Sequence, residues 1–427
     1  MSGSAPTRCR SLPACSAGLW LLLAWPGAAG ASGAAPYLDH RSRELDFTEA
    51  GAGGSEIAGV DEVCLGWFGP SDPADPVGGD LWMAACMAVE EANATGGWEG
   101  RPFRLTPRWS ENPWGTGVGS LFRMVYDEPV VALLGSMDGA STHLAEQVVA
   151  KAGLPLVSPV STDDSVNFAG VSWVFSCAPG DAMVAASLAG AVARWRVEPF
   201  LVNTTDHDSR VLARSVARAI EVEGRGVSQQ LQFTPGGETF AAQLRQLASA
   251  RPDLVVLIAG AEDSARFVRG LRRMGVTSAV LGSPGMGSRR FFTAVDGGTD
   301  GVFFPLLVAE GEGGRREAFT TGFAARTGHE PDFRALLTYD AATLLVCAVR
   351  RAGPDRDGIR RALRGLSPWT GVAGRIEWDG LGRNRRGPVG WGRWNGDGRI
   401  LVCDLDGVAA PASSLASDAT PGGRQRR

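Results

Sequence analysis

From Leu81 to Arg101 the chain reads L-W-M-A-A-C-M-A-V-E-E-A-N-A-T-G-G-W-E-G-R, and this stretch limits the fold more than any other. Leu81, Ala84, Ala85, Ala88, Val89 and Ala92 recur at the spacing of one apolar stripe along an α-helix. Gly78 and Gly79 precede the stripe, and Gly96 and Gly97 stop it, as residues that tolerate the left-handed region do. A strand-like apolar run, Val63 to Phe68, comes before it and a short extended run, Phe103 to Trp109, comes after. Strand, helix and strand at this spacing make a βαβ unit, which joins parallel strands.

The alternation continues. Strands are expected at Val130–Leu134, Leu156–Ser158, Trp173–Phe175, Phe200–Asn203, Leu254–Ala259, Ala279–Leu281, Val302–Phe304, Ile376–Trp378 and Ile400–Val402. Helices are expected at Ala140–Ala152, Ala182–Trp195 with Asp181 as its cap, Ser209–Glu223, Glu238–Ala248, Glu262–Met274, Arg315–Thr327, Ala335–Arg351 and Asp355–Leu366. Such alternation predicts α/β layers, and 427 residues exceed one core, so the chain should split in two.

The ends read differently. Arg8 and Arg10, the apolar run Ala17–Trp25 and Ala29-Gly30-Ala31 follow the order of a secretory signal, so residues 1–31 read as a cleaved signal peptide. Leu12–Cys15 imitates a lipoprotein box but precedes the apolar run. Residues 32–58 read as a disordered linker and 408–427 as a disordered tail. No later run is long enough to span a bilayer, so the expected product is soluble and periplasmic. A net charge of −4 gives no reason to expect nucleic acid.

Five cysteines remain after the signal: Cys64, Cys86, Cys177, Cys347 and Cys403. Export permits disulfides, but the apolar settings of Cys64, Cys86 and Cys347 favour small buried hydrophobes. No C-x-x-C occurs, and His40, His143, His207 and His329 show no metal-ligand spacing. There is no G-x-S-x-G, Gly115-x-Gly117-x-Gly119 misses the dinucleotide register, and the Gly282–Gly287 loop lacks a P-loop lysine. The expectation is therefore no enzyme, no cofactor and no metal.

A glycine-proline loop followed by a helix ending A-V-E-E-A-N-A-x-G-G-x-x-G-R resembles the first unit of the type I periplasmic solute-binding proteins, the branched-chain amino-acid and amide binders that serve ABC importers. V-V-A-L-L-G-S-M-D-G-A-S-T (Val130–Thr142), G-L-P-L-V-S-P-V-S-T (Gly153–Thr162), A-P-G-D (Ala178–Asp181), R-P-D-L-V-V-L (Arg251–Leu257), T-Y-D-A (Thr338–Ala341) and T-G-V-A-G-R-I-E-W-D-G-L-G (Thr370–Gly382) are similar to further motifs of that family. The resemblance implies two doubly wound parallel-sheet lobes joined by a three-strand hinge. Motif matching places lobe one at 59–179 and 304–371, and lobe two at 180–303 and 372–407. It implies capture of a small polar solute by hinge closure and delivery to an ABC transporter permease, by a monomer. A sensor feeding a receptor is the alternative, and an enzyme on the same layers a more distant one.

Ligands of open parallel sheets bind outside the carboxyl ends of the strands. Gly139, Ser141 and Thr142 open a helix there, and Ser161 and Thr162 lie in the neighbouring loop. The resemblance implies that these loops hold the carboxylate and ammonium of an amino acid; ordinary helix capping is the competing role. Asp208 stands where the family's amino-acid binders keep an aromatic residue. Asp208 and Glu262, with Asp206 and Asp263, suit a cationic group on the ligand, or else are solvated caps. Trp114 sits in a loop from which it could stack on a ligand, whereas Trp67 reads as core.

Overall fold

The computed structural model describes residues 61–405 except 111, 169, 238–239 and 310–312. The expected signal peptide, linker and tail lie outside the described residues, as does the side chain of Trp114. The first run of elements is β1 (Val63–Phe68), α1 (Gly79–Ala94), β2 (Phe103–Arg108), α2 (Val118–Tyr126), β3 (Val130–Gly135), α3 (Gly139–Ala152), β4 (Leu156–Ser158), α4 (Ser165–Phe168) and β5 (Val174–Ser176). Its strands form a parallel five-stranded sheet in the order β2-β1-β3-β4-β5. The βαβ unit expected around α1 is present, with β1 and β2 in parallel register from Val63↔Phe103 to Phe68↔Arg108.

All six stripe residues of α1 are buried. The helix stops where it does because Gly97 takes a positive φ of 62° with the Arg101 carbonyl against it; a Cβ there would stand 2.0 Å from that oxygen.

The second run is α5 (Asp181–Trp195), β6 (Phe200–Thr204), α6 (His207–Val222), β7 (Gln229–Phe233), α7 (Ala241–Ala250), β8 (Leu254–Ile258), α8 (Ala261–Arg273), β9 (Ala279–Gly282), α9 (Arg289–Val295) and β10 (Val302–Leu306). The chain then returns to the first lobe as α10 (Gly314–Thr327), α11 (Phe333–Ala352), α12 (Arg356–Leu366) and the hairpin β11 (Trp369–Gly371) and β12 (Gly374–Ile376). It ends in the second lobe as β13 (Gly390–Trp394) and β14 (Ile400–Cys403). The second sheet has seven strands in the order β14-β13-β10-β9-β8-β6-β7, parallel from β7 to β10 and antiparallel at β13 and β14. Polar β7, Q-Q-L-Q-F, escapes sequence reading because it is an edge strand with an exposed face.

The chain passes between lobes three times, and the passages are tied to one another. Asn384 Nδ2 donates to the Cys177 carbonyl at 2.7 Å, and the Val389 amide donates to the Leu306 carbonyl at 2.8 Å. Two of the boundaries set by motif matching shift. Phe304 belongs to β10, which must run on to Leu306 to pair with β13. Val372, Ala373, Ile376 and Trp378 pack in the core of the first lobe, not the second. They are held there by Asp340, which accepts from the Val372 and Ala373 amides at 2.8 and 2.7 Å from the middle of α11.

The cap of α5 also differs from expectation. Asp181 is buried inside the first turn, and it is Asp164, from the first lobe, that accepts from the Ala182 amide at 2.7 Å. The five described cysteines are free thiols, with Cys64 and Cys177 buried. Trp67 is fully buried, its indole N–H donating to the Pro70 carbonyl at 2.8 Å. No helix among the described residues is long and apolar enough to cross a membrane.

Candidate functional site

A cavity of about 460 Å³ lies where the strands of both parallel sheets end. Met137 and Asp138 follow β3, Val160 and Thr162 follow β4, Asp206–Ser209 follow β6, Ala259–Ala261 follow β8 and Ser283–Gly285 follow β9. Strand carboxyl ends are where open parallel sheets bind ligands, because the loops there present amides and helix N-termini.

The first-lobe wall is organised by Asp138. It caps α3, taking the Ser141 amide at 2.7 Å and the Ser141 hydroxyl at 2.6 Å on Oδ1. The Ser141 hydroxyl also meets that of Ser136, and Thr142 Oγ1 donates back to the Asp138 carbonyl at 2.6 Å. Ser141 and Thr142 are fully buried and serve the helix turn; neither lines the cavity. Of the neighbouring pair, Ser161 is buried, while Thr162 lines the cavity and its carbonyl takes the Asp181 amide at 2.7 Å.

Asp208, on the first turn of α6, crosses the cleft. Its Oδ2 accepts from the Gly139 amide at 2.8 Å, so a second-lobe carboxylate sits on the N-terminus of a first-lobe helix. Gly139 leaves the room for this: a Cβ there would lie 2.6 Å from Asp208 Oδ1. Burial pushes the Asp208 carboxyl up to about 6, with repulsion from Asp138 adding to it and the Gly139 amide pulling it back.

The other second-lobe acids have partners of their own. Asp206 caps α6 through the Ser209 amide at 2.9 Å. Asp263 accepts from the Gly236 amide at 3.1 Å and pairs with Arg266. Glu262 is exposed, pairs with Arg290 at 2.9 Å and does not line the cavity. Of the acidic set read from the sequence, Asp206, Asp208 and Asp263 line the cavity and Glu262 does not; Asp206 and Asp263 are engaged within the second lobe, and Asp208 is the one that bonds across the cleft.

Sequence reasoning missed the cations. Arg290 and Arg334 both line the cavity. Arg334 stands on the first turn of α11, whose start is capped by Asp332, and donates to the Val77 carbonyl at 3.2 Å. Burial lowers its pKa, which marks a guanidinium held in a poorly hydrated place. The only signal in the sequence was an arginine at the head of the apolar helix F-R-A-L-L.

The sequence profile of the family described as "Periplasmic binding protein" matches residues 66–398. A Pseudomonas aeruginosa "Amino acid binding protein" is 25% identical over 341 residues, 75% of this chain and 87% of the relative. Among solved structures, the fold is similar to that of a leucine binding protein from Thermotoga maritima, with a TM-score of 0.72, 22% identity and cover of 80% of this chain and 98% of that one. It is also similar to a branched-chain amino acid transporter substrate binding protein from Streptococcus pneumoniae, solved with isoleucine, with a TM-score of 0.71, 19% identity and cover of 80% and 98%. Two lobes on mainly parallel sheets, three tied crossings, a cavity between strand ends and a family match over most of its length together mean that this chain belongs to the periplasmic binding protein family.

Proposed function

We propose that the protein is an exported binding protein that captures a small polar solute of the amino-acid or amide class in its interlobe cavity and delivers it to an ABC importer. The observation that carries this reading is the cavity itself, which both lobes line and across which Asp208 bonds to Gly139. Charges of both signs face it. Arg334 suits a carboxylate, and Asp208 suits an ammonium or amide N–H. An α-amino acid offers both groups, and its zwitterion would replace with matched partners the water that closure expels. The likeness to amino-acid binders of other organisms supports the same class.

A thermal-shift screen over amino acids, amides, polyamines and small organic acids tests this. A ligand that binds only the folded state stabilises it by about 2.7 kcal/mol at a hundredfold excess over Kd, enough to raise Tm by several degrees. If no amino acid or amide moves Tm, the proposed ligand class is wrong.

A further inference from the structure

His143, Asp163 and His207 lie 20 and 44 positions apart along the chain, yet their polar atoms meet beside the cavity. The geometry points to a site for one divalent transition-metal cation, held between the lobes by His143 Nε2, Asp163 Oδ2 and His207 Nε2.

Asp163 Oδ2 is 3.2 Å from His143 Nε2 and 2.7 Å from His207 Nε2, and all three donors lie within 4.8 Å of one another. Metal bonds of about 2.0–2.2 Å in a tetrahedron put neighbouring donors roughly 3.3 Å apart, so small movements suffice to admit an ion. The two rings meet edge to face, with centroids 5.5 Å apart and planes at 83°, so they do not stack on each other.

The supporting shell is built for the same purpose. Ser165 donates its amide at 2.9 Å and its hydroxyl at 2.6 Å to Asp163 Oδ1, which leaves Oδ2 to the two histidines; the same hydroxyl lies 2.8 Å from His143 Nε2 and would be displaced from it by an ion. Glu146 Oε2 stands 3.2 Å from His143 Nδ1, the carboxylate-histidine arrangement that directs the other ring nitrogen to a metal. Imidazole with one carboxylate selects zinc, cobalt or nickel over calcium or magnesium. Asp163 is buried, whereas the side chains of His143 and His207 keep 21% and 37% of their exposure, which gives an ion a way in.

Two donors belong to the first lobe, and His207 is the first residue of α6 in the second. A cation taken up here binds only when the lobes are together, so it would favour the closed state and alter solute affinity.

The test is titration of the full-length, chelator-treated protein with cobalt(II) chloride alone, followed by visible absorption and calorimetry. The expected result is saturation at one ion per chain with the ligand-field bands of a nitrogen and oxygen site. His207→Gln should bind at least tenfold more weakly, a difference of about 1.4 kcal/mol. His143→Gln should repeat the loss, and His329→Gln, whose imidazole pairs with Asp80, should bind as wild type. Metal-free His207→Gln should keep a single cooperative thermal transition, so weak binding would not reflect misfolding. Absence of saturable binding, or equal affinity in His207→Gln, overturns the site. The probe carries no amino acid, so that failure would leave the proposed solute class standing, and a failed amino-acid screen would leave the metal site standing.

Discussion

At the scale of single residues, two carboxylates define what can be measured. Asp208 is the acid that spans the cleft, and its neutral isostere removes charge with little change of shape. Asp208→Asn should therefore weaken solute binding tenfold or more, about 1.4 kcal/mol, read by calorimetry. Affinity within twofold of wild type would return Asp208 to a purely structural role. Asp340 is the second. Burial pushes its carboxyl up to about 6, against the pull of the Ala373 and Val372 amides. A carboxyl raised on folding contributes stability that is full below its unfolded value of 3.8 and is lost as pH rises through about 6. The stability difference between wild type and Asp340→Asn should thus move against wild type by up to about 3 kcal/mol between pH 4 and pH 7. Urea unfolding of both proteins across that range measures it, and a difference that stays flat or moves the other way would contradict it. The role of Asp340 is not visible in the sequence, where it is only one polar letter in T-Y-D-A; Asp208 is legible there as an acid after a strand end, but its bond to Gly139 is not.

At the scale of elements, α11 is the centre of the first lobe. Residues from Ala335 to Val349 are buried almost without interruption, because α1 covers one side of the helix and α12 and the β11–β12 hairpin cover others. Leu344→Ala should cost about 2–5 kcal/mol of unfolding free energy, the usual range for a fully buried leucine truncated in a packed core. Val222, 80% exposed at the end of α6, provides the contrast: Val222→Ala should stay within about 0.5 kcal/mol. A Leu344→Ala loss as small as that of Val222→Ala would mean that α11 is not packed as described. The boundaries of α1, β1, β4 and α10 were legible to within two residues, since each carries its period and its stop signal in its own letters. Polar β7 and glycine-rich β13 were not, because a neighbouring strand, not their own composition, makes them strands.

At the scale of the whole molecule, the three tied crossings describe a hinge. Small-angle scattering should show a smaller radius of gyration with saturating solute than without it. Ligand-free Asp208→Asn should be more expanded than ligand-free wild type, since it weakens the Asp208–Gly139 bond that holds the lobes together. Identical curves for all samples would mean that the lobes do not move.

By itself the sequence determined the α/β class, the parallel first unit and the family, because these rest on short-range periodicity and on motifs whose residues are neighbours in the chain. It also placed Gly139, Thr162 and Asp208 at strand ends, and all three came together at the cleft. Only the tertiary structure decided which polar groups face the cavity. Ser141 and Thr142 turned inward to Asp138, Glu262 turned out to Arg290, and Arg334 arrived from more than a hundred residues beyond Asp208. The same is true of His143, Asp163 and His207, which have no meaningful spacing until the hinge brings α6 beside α3. A hydrogen bond is set by distances of about 3 Å in space, and chain order fixes such distances only within one turn or one strand pair.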